Sequence, residues 1–249
     1  MIKIEKAVKY FGNQKVLDGL NLTVPEKKTL VIIGRSGCGK SVLLKHMIGL
    51  VKPDKGRILI KGRDITKLDE AELDAIRVKC GMLFQGAALF DSLTVEENVG
   101  FALSRFSKKP ASQISKIVKE KLALVGLEGV EKKKPAELSG GMRKRVGLAR
   151  AIAMDPEVIF YDEPTTGLDP IMADVINDLI VDLKKKLKIT GVVVTHDMKS
   201  AYKVGDRIAM MYEGKIIEEG TPEEIQKTKN PVVKQFIKGS AVGPIHVLG

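Results

Sequence analysis

Tryptophan is absent from this chain of 249 residues, and aromatic residues of all kinds make up only 4% of it. Proteins that bind single-stranded nucleic acid commonly stack the bases on a series of aromatic side chains. The sequence contains no such series, so we do not expect nucleic acid as a partner. Cysteine is also scarce, since only Cys38 and Cys80 occur. This scarcity argues against a disulfide framework and favours a reducing compartment, the cytoplasm.

Long apolar runs are missing as well. No stretch approaches the roughly 18 to 20 apolar residues of a membrane helix. The N-terminal sequence MIKIEKAVKY lacks the apolar region of a secretory signal. We therefore expect a chain that does not span a bilayer by itself. Its formal net charge of +11 suits nucleic acid, an anionic membrane surface or acidic ligands, and does not choose among them.

The order of the predicted elements indicates an α/β fold. The first third contains the β-rich runs IKIEKAVKYF, LDGLNLTV, TLVIIG and GRILIKG, and the helical pattern SVLLKHMIGL separates the last two. Later, the strands VIFYDEP and GVVVTHD flank the helical pattern PIMADVINDLIVDLKKKL, and a hairpin pattern surrounds Glu213 and Gly214. Continuous apolar strands that alternate with helices predict a mainly parallel sheet covered on both faces, with an N-terminal antiparallel β portion.

The spacing of apolar residues predicts three regions. Between residues 85 and 156 this spacing changes to three and four, and Thr94 and Ser139 are placed as helix N-caps. We predict an inserted α-helical subdomain there, a core formed by residues 1–84 plus 157–222, and a C-terminal tail over 223–249. In the tail, the apolar residues of VVKQFI predict a helix that docks on its own core or on a second copy, with disorder as the alternative.

A glycine-rich turn, GRSGCGKS, lies directly between a predicted strand and a predicted helix. It fits the pattern G-x-x-x-x-G-K-[ST] at Gly34, Gly39, Lys40 and Ser41. Glycines let backbone N–H groups curl around phosphate oxygens, and the following helix contributes its positive N-terminal end. The lysine neutralises phosphates, and the serine can ligate Mg²⁺. The turn therefore predicts a nucleoside triphosphate site.

Two further motifs supply carboxylates and a second anion-binding helix end. VIFYDE places Asp162 and Glu163 at the C-terminal end of an apolar strand, where open α/β sheets bind ligands. Asp162 would hold Mg²⁺ through water, and Glu163 would orient or deprotonate the attacking water. LSGGMRKR places Ser139 at the start of a helix. One chain thus has two anion-binding helix ends, one after the glycine-rich turn and one at Ser139. This suggests a two-fold dimer, in which each copy closes over the nucleotide of the other.

Together, the phosphate loop, LSGGM, VIFYDEP, GLDP and VVVTHD occur in the order seen in ATP-binding-cassette ATPases, which residues 1 to about 222 resemble. The resemblance implies a P-loop NTPase with a RecA-like core, and ATP and Mg²⁺ as cofactors. Met142 and TTGLDP depart from the commoner family residues without removing a phosphate ligand or the carboxylate.

The resemblance also implies roles for individual residues. Phe11, or the adjacent Tyr10, would stack on adenine, and Gln85 would sense the γ-phosphate and Mg²⁺. Asp169 would lie in the loop that links the two sites of the dimer, and His196 would contact the γ-phosphate. The implied catalytic residues are Glu163, His196, Lys40 and Gln85, and the implied metal ligands are Ser41, Gln85 and Asp162. The implied nucleotide contacts are Phe11, Gly34, Arg35, Ser36, Gly37, Cys38, Gly39, Lys40, Ser41, Ser139, Gly140, Gly141 and Asp169. His46 and His246 receive no role.

The segment MLFQGAALFDSLTVEENVGFAL and the tail VVKQFIKGSAVGPI resemble the Mla-type lipid-transport cassettes, which work with MCE-domain proteins. This resemblance implies an integral membrane permease that docks beside Gln85, an MCE-type partner, and a peripheral position at the cytoplasmic face of the inner or plasma membrane. Two alternatives stay open. One is a cassette for a polar solute such as amino acids or ribonucleotides. The other is a soluble cassette that acts on nucleic acid, ribosomes or iron–sulfur assembly.

Overall fold

The structure is a computed structural model, and it describes residues 1–245; His246 and the three residues after it lie outside the described part. The described residues form two compact units, one that combines residues 1–69 with the described residues from 192 onward and one of residues 70–191. Strands and helices occur in both units, and parallel and antiparallel strand pairs are both present. The fold is mixed α/β, as the sequence predicts.

The first unit contains a four-stranded antiparallel sheet in the order β2-β1-β4-β5. Strand β1 (Ile2–Phe11) pairs with β2 (Gln14–Val24), so that Ile2 lies opposite Val24 and Phe11 lies opposite Gln14. On its other edge β1 pairs with β4 (Lys55–Ile60), which in turn pairs with the short β5 (Arg63–Asp64). Apolar residues at alternate positions of β1 are buried, which accounts for the two-residue period of IKIEK.

A second group of strands in this unit follows the order β10-β9-β3-β8. Strand β3 (Thr29–Ile33) is buried along its whole length and runs parallel to β9 (Arg207–Tyr212). Strand β10 (Lys215–Gly220) returns antiparallel to β9. The connecting residues Glu213 and Gly214 both have positive φ, of 47° and 75°, as a tight hairpin turn requires. Strand β8 (Thr190–Thr195) begins with the last two residues of the other unit.

Within the described residues, four α-helices complete the first unit: α1 (Lys40–Met47), α7 (Met198–Val204), α8 (Pro222–Gln226) and α9 (Pro231–Lys238). Helix α9 forms in the predicted tail, contacts α8, and buries Val233 completely. Its N-cap is Asn230, whose side-chain oxygen accepts a hydrogen bond from the backbone N–H of Val232. In the described residues the tail therefore packs on its own chain.

The second unit contains α2 (Glu70–Arg77), β6 (Cys80–Leu83), α3 (Val95–Phe106), α4 (Ala111–Leu124), α5 (Gly140–Ala151), β7 (Val158–Asp162) and α6 (Pro170–Leu187). Strands β6 and β7 are parallel, with Cys80 opposite Val158. Helix α3 packs against α4 and α5, and Val99, Leu103 and Leu122 of α3 and α4 are buried. The segment predicted to be helical, 85–156, thus holds α3, α4 and α5.

The predicted N-caps are confirmed. The Thr94 hydroxyl accepts a hydrogen bond from the Glu97 N–H at 3.2 Å, and the Glu97 carboxylate accepts one from the Thr94 N–H at 2.7 Å, which completes a capping box. The Ser139 hydroxyl accepts a hydrogen bond from the Met142 N–H at 3.2 Å. Each cap satisfies backbone donors that a helix start otherwise leaves unpaired.

Candidate functional site

The phosphate loop lies in the first unit, between the buried strand β3 and helix α1. Its glycines are needed for steric reasons. A Cβ on Gly34 would lie 2.4 Å from the carbonyl oxygen of Met211, and one on Gly39 would lie 2.7 Å from a methyl carbon of Val16. Gly37 and Gly39 also have φ of 77° and 101°, which side chains disfavour. The loop conformation therefore requires glycine at positions 34 and 39 and favours it at position 37.

Lys40 holds this loop from inside. Its side chain is 6% exposed, and its ammonium donates hydrogen bonds to the carbonyl oxygens of Gly34 at 2.7 Å and Arg35 at 2.9 Å. Burial raises the pKa of the neighbouring Cys38 thiol, so this side chain stays neutral near pH 7. Arg35, Ser36, Gly37 and Ser41 are exposed at the loop surface.

The two candidate adenine platforms stand on the surface of the first unit. Tyr10 and Phe11 are 43% and 48% exposed at the end of β1. Asp54 fixes this strand end, because its carboxylate accepts hydrogen bonds from the Tyr10 N–H at 2.7 Å and from the Lys9 ammonium at 2.9 Å. The Lys9 ammonium also lies 5.6 Å from the centre of the Phe11 ring. Both aromatic rings are thus presented on an anchored backbone.

His196, also in the first unit, is exposed directly after β8. The next residue, Asp197, caps helix α7 by accepting hydrogen bonds from the N–H groups of Lys199 and Ser200, and its own N–H donates to the Thr195 hydroxyl at 3.0 Å. His196 is therefore held between a strand end and a capped helix. This rigid placement suits a side chain that contacts a ligand.

The second unit contains the carboxylates predicted from VIFYDE. Asp162 ends β7, and Glu163 follows it, both half-buried. Glu163 has a positive φ of 48°, an uncommon backbone conformation for a residue with a side chain. The Thr166 hydroxyl donates a hydrogen bond to the Glu163 carboxylate at 3.2 Å. The carboxylate of Glu163 is thus oriented both by its backbone and by a neighbouring hydroxyl.

The signature residues and Asp169 lie in the same unit. Ser139 is exposed at the start of α5, and Gly141 is buried beneath it. A Cβ on Gly141 would lie 2.4 Å from the terminal methyl of Met172. Asp169 caps α6 by accepting hydrogen bonds from the N–H groups of Ile171 and Met172, both at 3.0 Å. Met172 therefore connects the start of the signature helix with the Asp169 cap.

Gln85 is exposed two residues after the end of β6. Its carbonyl oxygen accepts a hydrogen bond from the ammonium of Lys144 on α5, and the same ammonium donates to the Glu163 carbonyl oxygen at 3.4 Å. The structure thus connects Gln85 with Glu163 through one buried side chain.

Sequence reasoning missed Lys144, Thr166 and Asp54. Thr166 lies within the quoted TTGLDP segment, whereas no sequence pattern indicates the contacts of the other two.

An aromatic groove lies in the second unit, close in sequence to Gln85. We define the aromatic groove by its lining residues Phe84, Phe90, Phe101 and Phe106, together with Arg150. The four rings are between 39% and 54% exposed, and the cavity volume is about 580 Å³. The Phe90 and Phe101 rings pack with their centres 4.8 Å apart. Exposed aromatic rings grouped in a concavity are typical of a protein-binding surface.

A family model described as "ABC transporter" matches residues 17–166. The structure is also similar to a solved dimeric ATP-binding cassette, MJ0796, in a post-hydrolysis state bound to ADP and Pi. That similarity has a TM-score of 0.82 and 34% sequence identity, and it covers 89% of this chain and 99% of that one.

Two curated relatives align with almost the whole chain. The "Probable ribonucleotide transport ATP-binding protein mkl" of Mycobacterium tuberculosis is 43% identical over 244 residues, which are 98% of this chain and 68% of the relative. The "Intermembrane phospholipid transport system ATP-binding protein MlaF" of Escherichia coli K12 is 40% identical over 234 residues, which are 94% of this chain and 87% of the relative.

Proposed function

Because the chain belongs to the ABC transporter family, it is an ATPase whose conversion of ATP and water to ADP and phosphate is coupled to transport, and we propose that its cargo is phospholipid. The observation that carries the proposed cargo is the 40% identity to the phospholipid-transport protein MlaF over 94% of this chain. The exposed rings of the aromatic groove support a membrane protein as partner.

We assign the chemistry to this chain's own residues as part of the proposal. Lys40 would neutralise the β- and γ-phosphates, and the glycine-rich loop would supply backbone N–H groups to their oxygens. Glu163 would accept a proton from the attacking water, because its carboxylate is oriented by Thr166 and a strained backbone. Gln85 and His196 would position the γ-phosphate and the water for in-line attack.

Mg²⁺ is the metal that the proposed chemistry implies, and the candidate donors fit it. Each unit offers oxygen ligands of the kind that Mg²⁺ prefers: the Ser41 hydroxyl in the first, and the Gln85 amide and Asp162 carboxylate in the second. When bound, the ion would neutralise phosphate charge. Among residues 1–245 no cluster of three or more His, Cys, Asp or Glu side chains forms a competing metal site.

We further propose that two copies bind two ATP molecules between them. The similar cassette MJ0796 is dimeric, which supports this arrangement. In the proposed dimer Ser139, Gly140 and Gly141 would contact the ATP held by the partner copy, and Asp169 would link the two sites. The exposed Ser139 at the start of a twelve-residue helix is suited to an anionic ligand from outside the chain.

The replacement Glu163→Gln tests the assignment of the base. The amide preserves the size and most contacts of the side chain but cannot accept the proton. We expect ATP to bind with unchanged affinity, hydrolysis to fall at least a hundredfold, and an ATP-bound dimer to accumulate in size-exclusion chromatography. Hydrolysis at the parent rate would refute the role of Glu163.

A membrane permease is the partner that the aromatic groove fits. Its exposed rings could receive a short apolar helix. Among the described residues no helix combines the length and the apolar character needed to cross a membrane. We propose that the chain sits peripherally at the cytoplasmic membrane face, bound to that permease and working with an MCE-type lipid-binding protein.

Purification of the tagged chain from its own membranes in mild detergent tests this proposal. We expect a permease and an MCE-type protein to co-purify, and the reconstituted complex to move phospholipid when ATP is hydrolysed. Phe101→Glu in the aromatic groove should remove the permease and leave ATP binding intact. Gln113→Glu, an exposed change of equal charge on α4, serves as the control. Equal recovery of the permease with both variants would contradict the docking site.

Ribonucleotide transport is the second candidate, because the mycobacterial relative carries that name. The same reconstituted complex distinguishes the two cargoes: accumulation of labelled ribonucleotide without phospholipid transfer would favour this alternative. Co-purification with ribosomes or nucleic acid, without a membrane protein, would instead favour a soluble cassette.

A further inference from the structure

The ammonium of Lys144 meets two backbone segments at once. Lys144 lies in the second turn of α5, is 5% exposed, and donates hydrogen bonds to the carbonyl oxygens of Gln85 and Glu163. Gln85 follows β6, and Glu163 follows β7. One side chain from a third element therefore joins the ends of two parallel strands.

Burying a lysine at this position costs desolvation free energy, so we expect its charge to have a function. Burial lowers the pKa of Lys144, and the nearby carboxylates of Glu163 and Asp162 partly reverse that shift. An apolar side chain of the same length would avoid the desolvation cost of the ammonium. Packing alone therefore does not explain the residue.

Helix α5 holds the segment after Gln85 at further points. Arg150 donates hydrogen bonds to the carbonyl oxygens of Ala87 at 2.6 Å and Ala88 at 2.7 Å, and both alanines have positive φ, of 62° and 47°. A Cβ on Gly147 would lie 3.2 Å from that of Ala87. The segment 85–88 is thus bonded to α5 at both of its ends.

We propose that Lys144 is a positioning residue for ATP hydrolysis, which ties the backbone of Gln85 to that of Glu163 so that the two move together. The proposal rests on the roles of Glu163 and Gln85 given under the proposed function. A displacement of the segment beside the aromatic groove would then reorient Glu163 through this one ammonium. Lys144 would act on the rate of the chemical step, without touching ATP.

Steady-state hydrolysis by the full-length protein tests the proposal. Lys144→Met keeps most of the length and apolar packing of the side chain but removes its donors. We expect its kcat to fall about tenfold, with the KM for ATP within twofold of the parent value. Lys144→Gln keeps two N–H donors for the two carbonyl oxygens and should retain at least a third of the parent kcat.

Lys121→Met is the matched control. Lys121 is another buried lysine of the second unit, 7% exposed, and its ammonium is bonded to Asp155, which is not a candidate site residue. This variant should show a similar loss of thermal stability and a kcat within twofold of the parent. If it loses as much kcat as Lys144→Met, general destabilisation explains both, and the proposal fails.

Three other results would also overturn the proposal. They are a kcat of Lys144→Met within twofold of the parent, a loss confined to KM, and no recovery with Lys144→Gln. If Lys144→Met does not fold, Lys144→Asn takes its place, because the asparagine side chain is too short for its amide to reach the two carbonyl oxygens. Equal kcat values of the Asn and Gln variants would then refute the proposal. Glu163→Gln, measured in parallel, separates the two claims, since full activity there refutes the base assignment instead.

Discussion

The amide of Gln235 fastens the end of the described tail to α9, and its removal should release that end. The side chain is 6% exposed and makes three hydrogen bonds. It donates to the carbonyl oxygens of Ser240 and Ile245, both at 3.2 Å, and it accepts from the Ile245 N–H at 2.7 Å. A Cβ on Gly243 would lie 2.4 Å from the same amide, so the tail passes directly over it.

The expected magnitude follows from these bonds. Each contributes about 0.5–1.5 kcal/mol net, so Gln235→Ala should weaken the attachment of residues 240–245 by about 3 kcal/mol. Because about 1.4 kcal/mol corresponds to a tenfold change in an equilibrium constant, the open state of the tail should become about a hundredfold more populated. Ile245, only 4% exposed in the parent structure, would then spend far more time in water.

Amide hydrogen exchange measures this opening directly. The Ile245 N–H should exchange about a hundredfold faster in Gln235→Ala, whereas amides of the buried strand β3 should exchange at the parent rate, since the opening is local. Lys234→Ala, an exposed change on the same helix, serves as the control and should leave the tail protected. If the Ile245 amide of Gln235→Ala kept its parent protection, the three hydrogen bonds would not be what holds the tail.

Two further predictions concern single side chains. Thr166→Val removes the hydroxyl that orients the Glu163 carboxylate, so kcat should fall severalfold at an unchanged melting temperature; an unchanged steady-state kcat would contradict that role. Burial lowers the pKa of His46, whose Nδ1 is 2.8 Å from the Val42 carbonyl oxygen and whose Nε2 has no partner in the described chain. The unfolded chain therefore binds this proton more tightly, and stability should fall as the pH drops below about 6.5. His46→Leu should flatten that fall in thermal melts, and an equally steep fall in this variant would exclude His46 as its source.

Much of the fold is predictable from the sequence because its elements carry strong local signals. The strand β3 is apolar at four of its five positions, α6 begins at Pro170 after an aspartate cap, and α3 and α5 start at the predicted caps. Helix α2 was not predicted. Its sequence EAELDAIR buries only Leu73, so it presents a weak apolar stripe.

The candidate site was predictable to the extent that its chemistry is local in sequence. A phosphate loop needs consecutive glycines and a lysine, and these can be recognised without any tertiary information. The contacts of Lys144 and Arg150 depend on how α5 packs against the ends of β6 and β7, segments about 60 and 20 residues away in the chain. Long-range packing of this kind leaves no pattern in a single sequence. The roles assigned to the individual site residues remain predictions that the experiments above test.

The left-handed backbone at Glu163 creates a trade-off between catalytic activity and thermal stability. A residue with a side chain holds this conformation at a cost of about 1–2 kcal/mol, whereas glycine adopts it freely. A library screened only for heat resistance should therefore enrich glycine at position 163 and return proteins that outlast their parent yet no longer hydrolyse ATP. A screen that also selects for ATP hydrolysis should retain the glutamate together with its strained backbone conformation.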